Sequence, residues 1–216
     1  MPYLNREPES PEPLDCRILT AALDLFVENG YHNVSVHHIQ KRADVSIGSI
    51  YKHFGGKEGI AKALYTHILG ETDQLVDRAV AGYSQPRAQV HAIVEALFGH
   101  TETHKNIIAY VFHVKHSEFL SDQPPICDAS PFLKMRAIVK RGMENGELKK
   151  TDEWIAMSAI FGAMSRMIQL RLDGAIKKPL PEYTDQFLET IWSGMASEGP
   201  AYISDQQIEP INKVAS

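Results

Sequence analysis

Two short helical patterns separated by a tight turn constrain this chain more than anything else in it. Ser35 can cap a helix that places Ile39 and Ala43 on its inner face. The turn falls at Asp44-Val45, where Asp tolerates left-handed geometry better than most residues. Ser46 then caps a second helix running from Ile47 to about Phe54. Ala43 is small enough for close helix approach, and Val45 and Ile50 can plug the space between the two helices. The second helix carries Gly48, Ser49, Tyr51, Lys52 and His53, which are small or hydrogen-bonding rather than apolar. Such a surface is poorly suited to burial. It is suited to a groove lined with donors and acceptors, such as the major groove of DNA.

The rest of the chain reads as helix. Ile18, Ala22, Leu25 and Phe26, with Ala21, form one apolar face of a helix from about Asp15, its expected N-cap, to Asn29. Gly30 closes it at a position where positive φ is cheap. After Gly55-Gly56 a long helix begins near Lys57 and runs to about Ala81. Further helical patterns cover about 86–103, 105–118, 131–144, 152–172 and 182–196. Four prolines among polar residues in 1–13 point to a mobile arm, and 197–216 to a polar tail. No strand-like alternation of useful length and no internal repeat occurs, so the expected fold class is all-α.

Charge gives mixed guidance. The net charge of −5 is not the basic balance usual in nucleic-acid binders. Locally, residues 35–57 carry Lys41, Arg42, Lys52 and Lys57 against Asp44 alone, with His37, His38 and His53 as further donors. That island suits a protein touching DNA with one face and binding non-specific DNA weakly. Cys16 and Cys127 lie too far apart in sequence for a CxxC pair, which fits a reducing cytoplasm. No apolar run long enough to span a membrane and no secretory leader is evident.

From about Ile18 to Leu64 the chain resembles the DNA-binding segment of the tetracycline-repressor (TetR) family of bacterial regulators. The resemblance includes Asn29-Gly30-Tyr31, Ser35, Ile39, Ala43, Val45-Ser46, Gly48 and Ile50-Tyr51, and the Tyr-x-His-Phe-x-x-Lys-Glu string at 51–58 is its most specific part. Asp44 stands where the family usually has Gly. Gly56 replaces a usual Ser, Asn or Asp cap, which weakens the start of the next helix by a few tenths of a kcal/mol. His37-His38 replace common charged residues. The resemblance implies a three-helix DNA-binding domain over 14–56, with 47–54 as recognition helix, and an effector-binding and dimerisation domain over 57–196. Its implied DNA-contact residues are Ser35, His37, Ser46, Ile47, Gly48, Ser49, Tyr51, Lys52, His53 and Lys57. Ser49 and Ile47 would meet base edges. Tyr51, His53, Lys57 and Ser35 would hold phosphates. Phe54 reads as core.

The second half carries no strong local motif. Helix 152–172 is apolar on much of its surface, with Ala156, Ala159 and Ala163 as a strip of small residues, so it needs partners on two sides. With the stripe of the last helix it can pair with a second copy as a four-helix bundle, through Ala156, Ala159, Phe161, Ala163, Phe187, Ile191 and Trp192. A pocket for a small apolar or aromatic effector is expected among helices 57–81, 86–118, 131–144 and 152–168. Its candidate lining is Phe98, Tyr110, Phe112, His113, Phe119, Met135, Met143, Trp154, Met157 and Phe161. His100 and His104 share a helical face, and His113 and His116 are three apart, but no cysteine or carboxylate cluster completes a metal set. No cofactor motif, nucleophile elbow or phosphate loop is present. The expectation is a cytoplasmic, homodimeric, ligand-responsive repressor that binds double-stranded operator DNA and is not an enzyme. The rivals are an all-α carrier or enzyme with a vestigial helix-turn-helix, and a metal-responsive regulator.

Overall fold

The computed structural model describes residues 3–4, 12–112, 114, 116–120 and 126–197. These residues are helical apart from connections. Among them the extended pairing is an isolated antiparallel bridge between Leu148 and Ala196. The chain divides into two compact units, Met1–Gln74 with His104–Ser130, and Leu75–Thr103 with Pro131–Ser216.

The first unit holds α1 (Leu14–Asn29), α2 (Val36–Ala43), α3 (Ile47–Phe54), the Lys57–Gln74 part of α4 (Lys57–Val80) and α6 (Lys105–Phe112). Ile18, Ala22, Phe26, Ile39, Ile50, Ile60 and Leu64 are buried in it. Helix α1 packs on both α2 and α6, and Asn106 Nδ2 donates to Asp24 Oδ1 at 2.6 Å. The expected cap of α1 is corrected. Pro13, at φ −56° and ψ 152°, occupies the N-cap, and Asp15 lies inside the first turn. Proline there loses no needed donor and presets the chain for helix.

Tyr3 and Leu4, expected in a mobile arm, are buried. The Leu4 N–H donates to Glu71 Oε2 at 3.0 Å, and the Tyr3 ring meets His67 edge-on at 5.6 Å. Removing two large apolar side chains from water offsets the ordering of this short piece. Residues 5–11 and most of the expected tail lie outside the described residues.

Helix α6 is shorter than the pattern 105–118 suggests. It stops at Phe112, and the Val114 N–H reaches back to the Ala109 carbonyl at 3.2 Å, a wider turn than α. A 3₁₀ turn, His116–Glu118, follows.

The second unit holds Leu75–Val80 of α4, α5 (Pro86–Thr103), α7 (Ser130–Glu144, from Pro131 on), α8 (Glu153–Met157), α9 (Ala163–Leu172) and α10 (Thr184–Met195). Helix α5 packs on α9, on α10 and on the 3₁₀ turn Leu180–Tyr183. Glu102 ties three of these pieces together. Arg171 donates to it through Nε at 2.9 Å and Nη2 at 2.7 Å, and the Leu180 N–H donates at 3.0 Å. Both charges are only partly exposed, so the bidentate geometry is worth more here than on open surface.

The expected helix 152–172 is interrupted. Asp152 caps α8, its Oδ1 accepting from Trp154 N at 2.9 Å and Ile155 N at 3.3 Å. Ser158–Gly162 then forms a π turn, in which the Ala163 N–H reaches the Ser158 carbonyl five residues back. Within that unit Ala156, Ile160, Phe161, Met164 and Ile168 are buried, whereas Trp154 and Ile155 are 55% and 59% exposed.

Candidate nucleic-acid interface

Helices α2 and α3 are each started by a serine and held by short local bonds. Ser35 Oγ accepts from the His38 N–H at 3.2 Å, and His38 Nδ1 accepts from the Ser35 N–H at 3.3 Å. This is a capping box in which histidine does what Glu or Gln usually does. Ser46 Oγ accepts from the Ser49 N–H at 3.1 Å and lies 2.8 Å from Ser49 Oγ. The Ser49 hydroxyl therefore has a local partner within its own helix.

The turn between them is left-handed at Asp44, with φ 52° and ψ 56°. It is clamped by residues that sequence reading misses. Arg17 Nη2 donates to the carbonyls of Ala43 at 2.7 Å and Asp44 at 2.8 Å. Gln40 Nε2 donates to the Val45 carbonyl at 2.7 Å. Arg17 sits a full helix away in sequence, so no local pattern marks it.

Helix α3 ends at Gly55, φ 73°, and Gly56 follows at φ 131°. From sequence, Gly56 only weakens the start of α4. Its φ is one that side-chain-bearing residues rarely adopt, so here glycine serves the turn itself.

The surface these devices present is accessible. Ser35, His37, Ser46, Gly48, Tyr51, Lys52 and His53 are exposed, Tyr51 by 56%. Ile47, Ser49 and Lys57 are half-buried, while Ile50 and Val45 face inward and are buried. The basic island is less free than its sequence suggests. Arg42 pairs with Glu28, Nη2 to Oε2 at 3.1 Å, and that hydrogen bond holds the Glu28 carboxyl below its usual range. Lys57 Nζ donates to the Tyr31 carbonyl at 3.2 Å and lies 4.1 Å over the Tyr31 ring, and burial lowers its pKa. Lys57 thus braces the junction of the first helix with α4. Lys41 and Lys52 are exposed. The exposed N-termini of α2 and α3 offer backbone donors to phosphate oxygens.

The candidate effector residues separate by unit. Tyr110, Phe112 and Phe119 belong to the first, and Phe98, Met135, Met143, Trp154, Met157 and Phe161 to the second. His113 lies outside the described residues. In the first unit Phe119 stacks on Tyr31 at 4.3 Å and tilts against Phe26 at 6.4 Å. His116, which sequence marks only as one half of a His pair, is buried at the centre of this cluster. Its ring lies 4.8 Å from Tyr110, 5.0 Å from Tyr65 and 6.0 Å from Phe119. In the second unit Phe98 meets Phe187 at 5.4 Å, and the Arg136 guanidinium lies 5.2 Å over the Trp154 ring. Among the described residues no group of three His, Cys, Asp or Glu is placed to hold a metal ion. No described helix is long and apolar enough to cross a membrane.

An all-helical chain carrying two serine-capped helices around a clamped left-handed turn, with the second helix exposed along its polar side, is a helix-turn-helix DNA-binding regulator. Residues 18–64 match the family model for bacterial regulatory proteins, tetR family. The fatty acid metabolism regulator protein of Bacillus subtilis (strain 168) is 24% identical over 85% of this chain and 96% of its own length. The HTH-type transcriptional regulator UidR of Escherichia coli (strain K12) is 35% identical, but this chain spans only 38% of its length. Among solved structures, FadR of Bacillus subtilis in complex with stearoyl-CoA aligns with TM-score 0.67 at 23% identity, covering 82% of this chain and 97% of that one. A TetR family transcription regulator from Marinobacter aquaeolei VT8 aligns with TM-score 0.70 at 19% identity, covering 85% and 96%. The family-model match over residues 18–64 and these likenesses support a TetR family transcriptional regulator.

Proposed function

We propose that this regulator is a cytoplasmic homodimeric repressor, released from its operator by a small, mainly apolar effector. Residues 14–56 bind one half of a pseudo-palindromic operator, and residues 57–196 sense the effector and dimerise. The observation that carries the DNA side of the reading is the exposed face of α3, where Gly48, Tyr51, Lys52 and His53 have no core to serve. Ser49 and Ile47 read base edges there, and Tyr51, Lys52, His53, Ser35 and His37 position the head on phosphates.

The dimer reading rests on apolar surface that one copy leaves accessible. Ala156, Phe161 and Trp192 are already buried within the chain, so they support the interface from behind. Ala159, Ala163, Phe187 and Ile191 are half-buried and supply the contact itself. The effector class is suggested by the Bacillus subtilis likenesses, a fatty acid metabolism regulator and the FadR structure holding stearoyl-CoA. Helix α4 carries the signal, since a ligand that favours one tilt of it alters the separation of two recognition helices, and DNA demands a spacing near one turn, about 34–36 Å.

The test begins with selection of binding sequences from a random duplex pool. Titration of the selected duplex with and without stearoyl-CoA should then show weakened DNA binding. By linkage the duplex must weaken acyl-CoA binding by the same factor. Tight ligand binding with unchanged DNA affinity, for every acyl-CoA tried, would remove the effector reading.

A further inference from the structure

The first compact unit contains two buried polar atoms that no described residue satisfies, Tyr110 Oη and His116 Nε2. Tyr110 is 1% exposed and His116 8% exposed. Both belong to one aromatic cluster, their rings 4.8 Å apart and meeting edge to face, with Tyr65 and Phe119 alongside. Leaving such atoms without partners costs free energy, because each has exchanged water for hydrocarbon.

Their chemistry is specific. Besides burial, the Tyr110 main chain acts on the His116 ring as a weaker hydrogen-bonding influence that raises its pKa. A ring proton on Nδ1 leaves the buried, unpartnered Nε2 as the lone-pair nitrogen. Burial pushes the ring's pKa down to about 4, so at neutral pH the ring is uncharged and Nε2 is an acceptor. Burial also raises the Tyr110 pKa, which keeps the phenol protonated and a donor. The cluster therefore offers one donor and one acceptor and no cation. A carboxylate would enter it without a counter-charge, whereas a hydroxyl or a neutral carbonyl would avoid that desolvation penalty.

We infer that Tyr110 and His116 form the site that reads the polar group of the effector, and that this group is an uncharged oxygen function, a hydroxyl or an ester- or thioester-type carbonyl, on an apolar chain. The inference rests on the effector reading given above and narrows it. It also places the recognition event in the compact unit that contains α1, α2 and α3.

Three probes of equal chain length separate the alternatives: dodecan-1-ol, methyl dodecanoate and dodecanoate. Each is titrated calorimetrically into the full chain at pH 7.5, with wild type, Tyr110→Phe and His116→Leu. The alcohol and the ester should bind wild type at least tenfold more tightly than the carboxylate. Tyr110→Phe removes one oxygen and no packing volume. It should weaken the ester roughly fivefold, the worth of one neutral hydrogen bond. His116→Leu should weaken the alcohol by a similar factor. Because Tyr110 Oη has no partner among the described residues, unliganded Tyr110→Phe should melt no lower than wild type. Equal affinities in wild type and both variants overturn the site, with water alone satisfying the pair. Dodecanoate binding as tightly as the alcohol overturns the uncharged class. Failure of all three probes to bind wild type overturns this inference alone, and the effector reading then stands or falls on the stearoyl-CoA titration. Binding that depends on Tyr110 yet leaves the selected duplex's affinity unchanged removes the effector reading and leaves the site standing.

Discussion

Two glycines of α4 should respond to the same substitution with opposite sign. A Cβ at Gly59 would lie 2.8 Å from the carbonyl carbon of Phe54 and closer still to its oxygen. Those are main-chain atoms at the C-terminus of α3, anchored by the Gly55 N–H bond to the Tyr51 carbonyl at 2.9 Å. They cannot rotate away as a side chain could. Gly59→Ala must therefore displace the end of α3. Overpacking of this kind costs up to about 3 kcal/mol, and the alanine returns only about 1 kcal/mol of helix propensity. A net loss of about 2 kcal/mol is expected. Gly70 lies in the same helix, exposed, and a Cβ there would meet nothing within 4 Å. Gly70→Ala should gain the propensity, about 1 kcal/mol, without the clash. Urea unfolding with a common m-value measures both, and the variants should differ by about 3 kcal/mol. Operator affinity should fall for Gly59→Ala and hold for Gly70→Ala. Stability of Gly59→Ala equal to or above wild type would refute the close approach of α4 to Phe54.

The other expectations concern the DNA face, a buried titration and assembly. Tyr51→Ala and Lys52→Ala should weaken binding across all duplexes, whereas Ser49→Ala should change preference among operator variants by about 1–3 kcal/mol, and competition among selected duplexes distinguishes the two patterns. The His116 pKa falls from 6.5 unfolded to about 4 folded, so the unfolded chain binds the extra proton between those values. Stability is full above pH 6.5 and declines as pH drops toward 4, by about 3 kcal/mol at about 1.4 kcal/mol per pH unit. His116→Leu should lose that part of the decline, read as a flatter pH profile of urea midpoints; matching profiles would contradict the buried neutral ring. Ile191→Asp should leave a monomer by sedimentation, because an interface would bury its charge unpaired. A wild type that is monomeric at micromolar concentration would sink the dimer reading.

Local chemistry is what the sequence makes legible. Ser35 and Ser46 cap because the donors they satisfy lie within three residues of them. Asp44 turns the chain because its own backbone accepts φ 52°. Long-range bonds leave no such trace. The Arg17 clamp spans 26 and 27 residues, and the Leu4–Glu71 bond spans 67. His38 as a capping-box partner is hidden because imidazole is an unusual choice for that place. In the second half, periodicity identifies apolar helices but cannot tell a pocket wall from core, since both require the same side chains. Tyr110 reads as lining for its ring, yet its informative atom is the hydroxyl, whose lack of a partner exists only once the chain is folded. The compact units likewise cut α4 after Gln74 and join 104–130 to the DNA-binding helices, a division that no change in composition marks.

The π turn at Ser158–Gly162 bears on how this chain tolerates changes in length. One such turn holds a single residue more than an α-helix needs over the same stretch. Loss of one codon inside 158–162 would restore α geometry while leaving the faces of α8 and α9 in their present registration. Loss of one codon elsewhere in α8 or α9 would swing every later side chain of that helix by about 100°. A scan of single-codon deletions across 153–172, read by reporter repression, should find one permissive window within an otherwise intolerant helix.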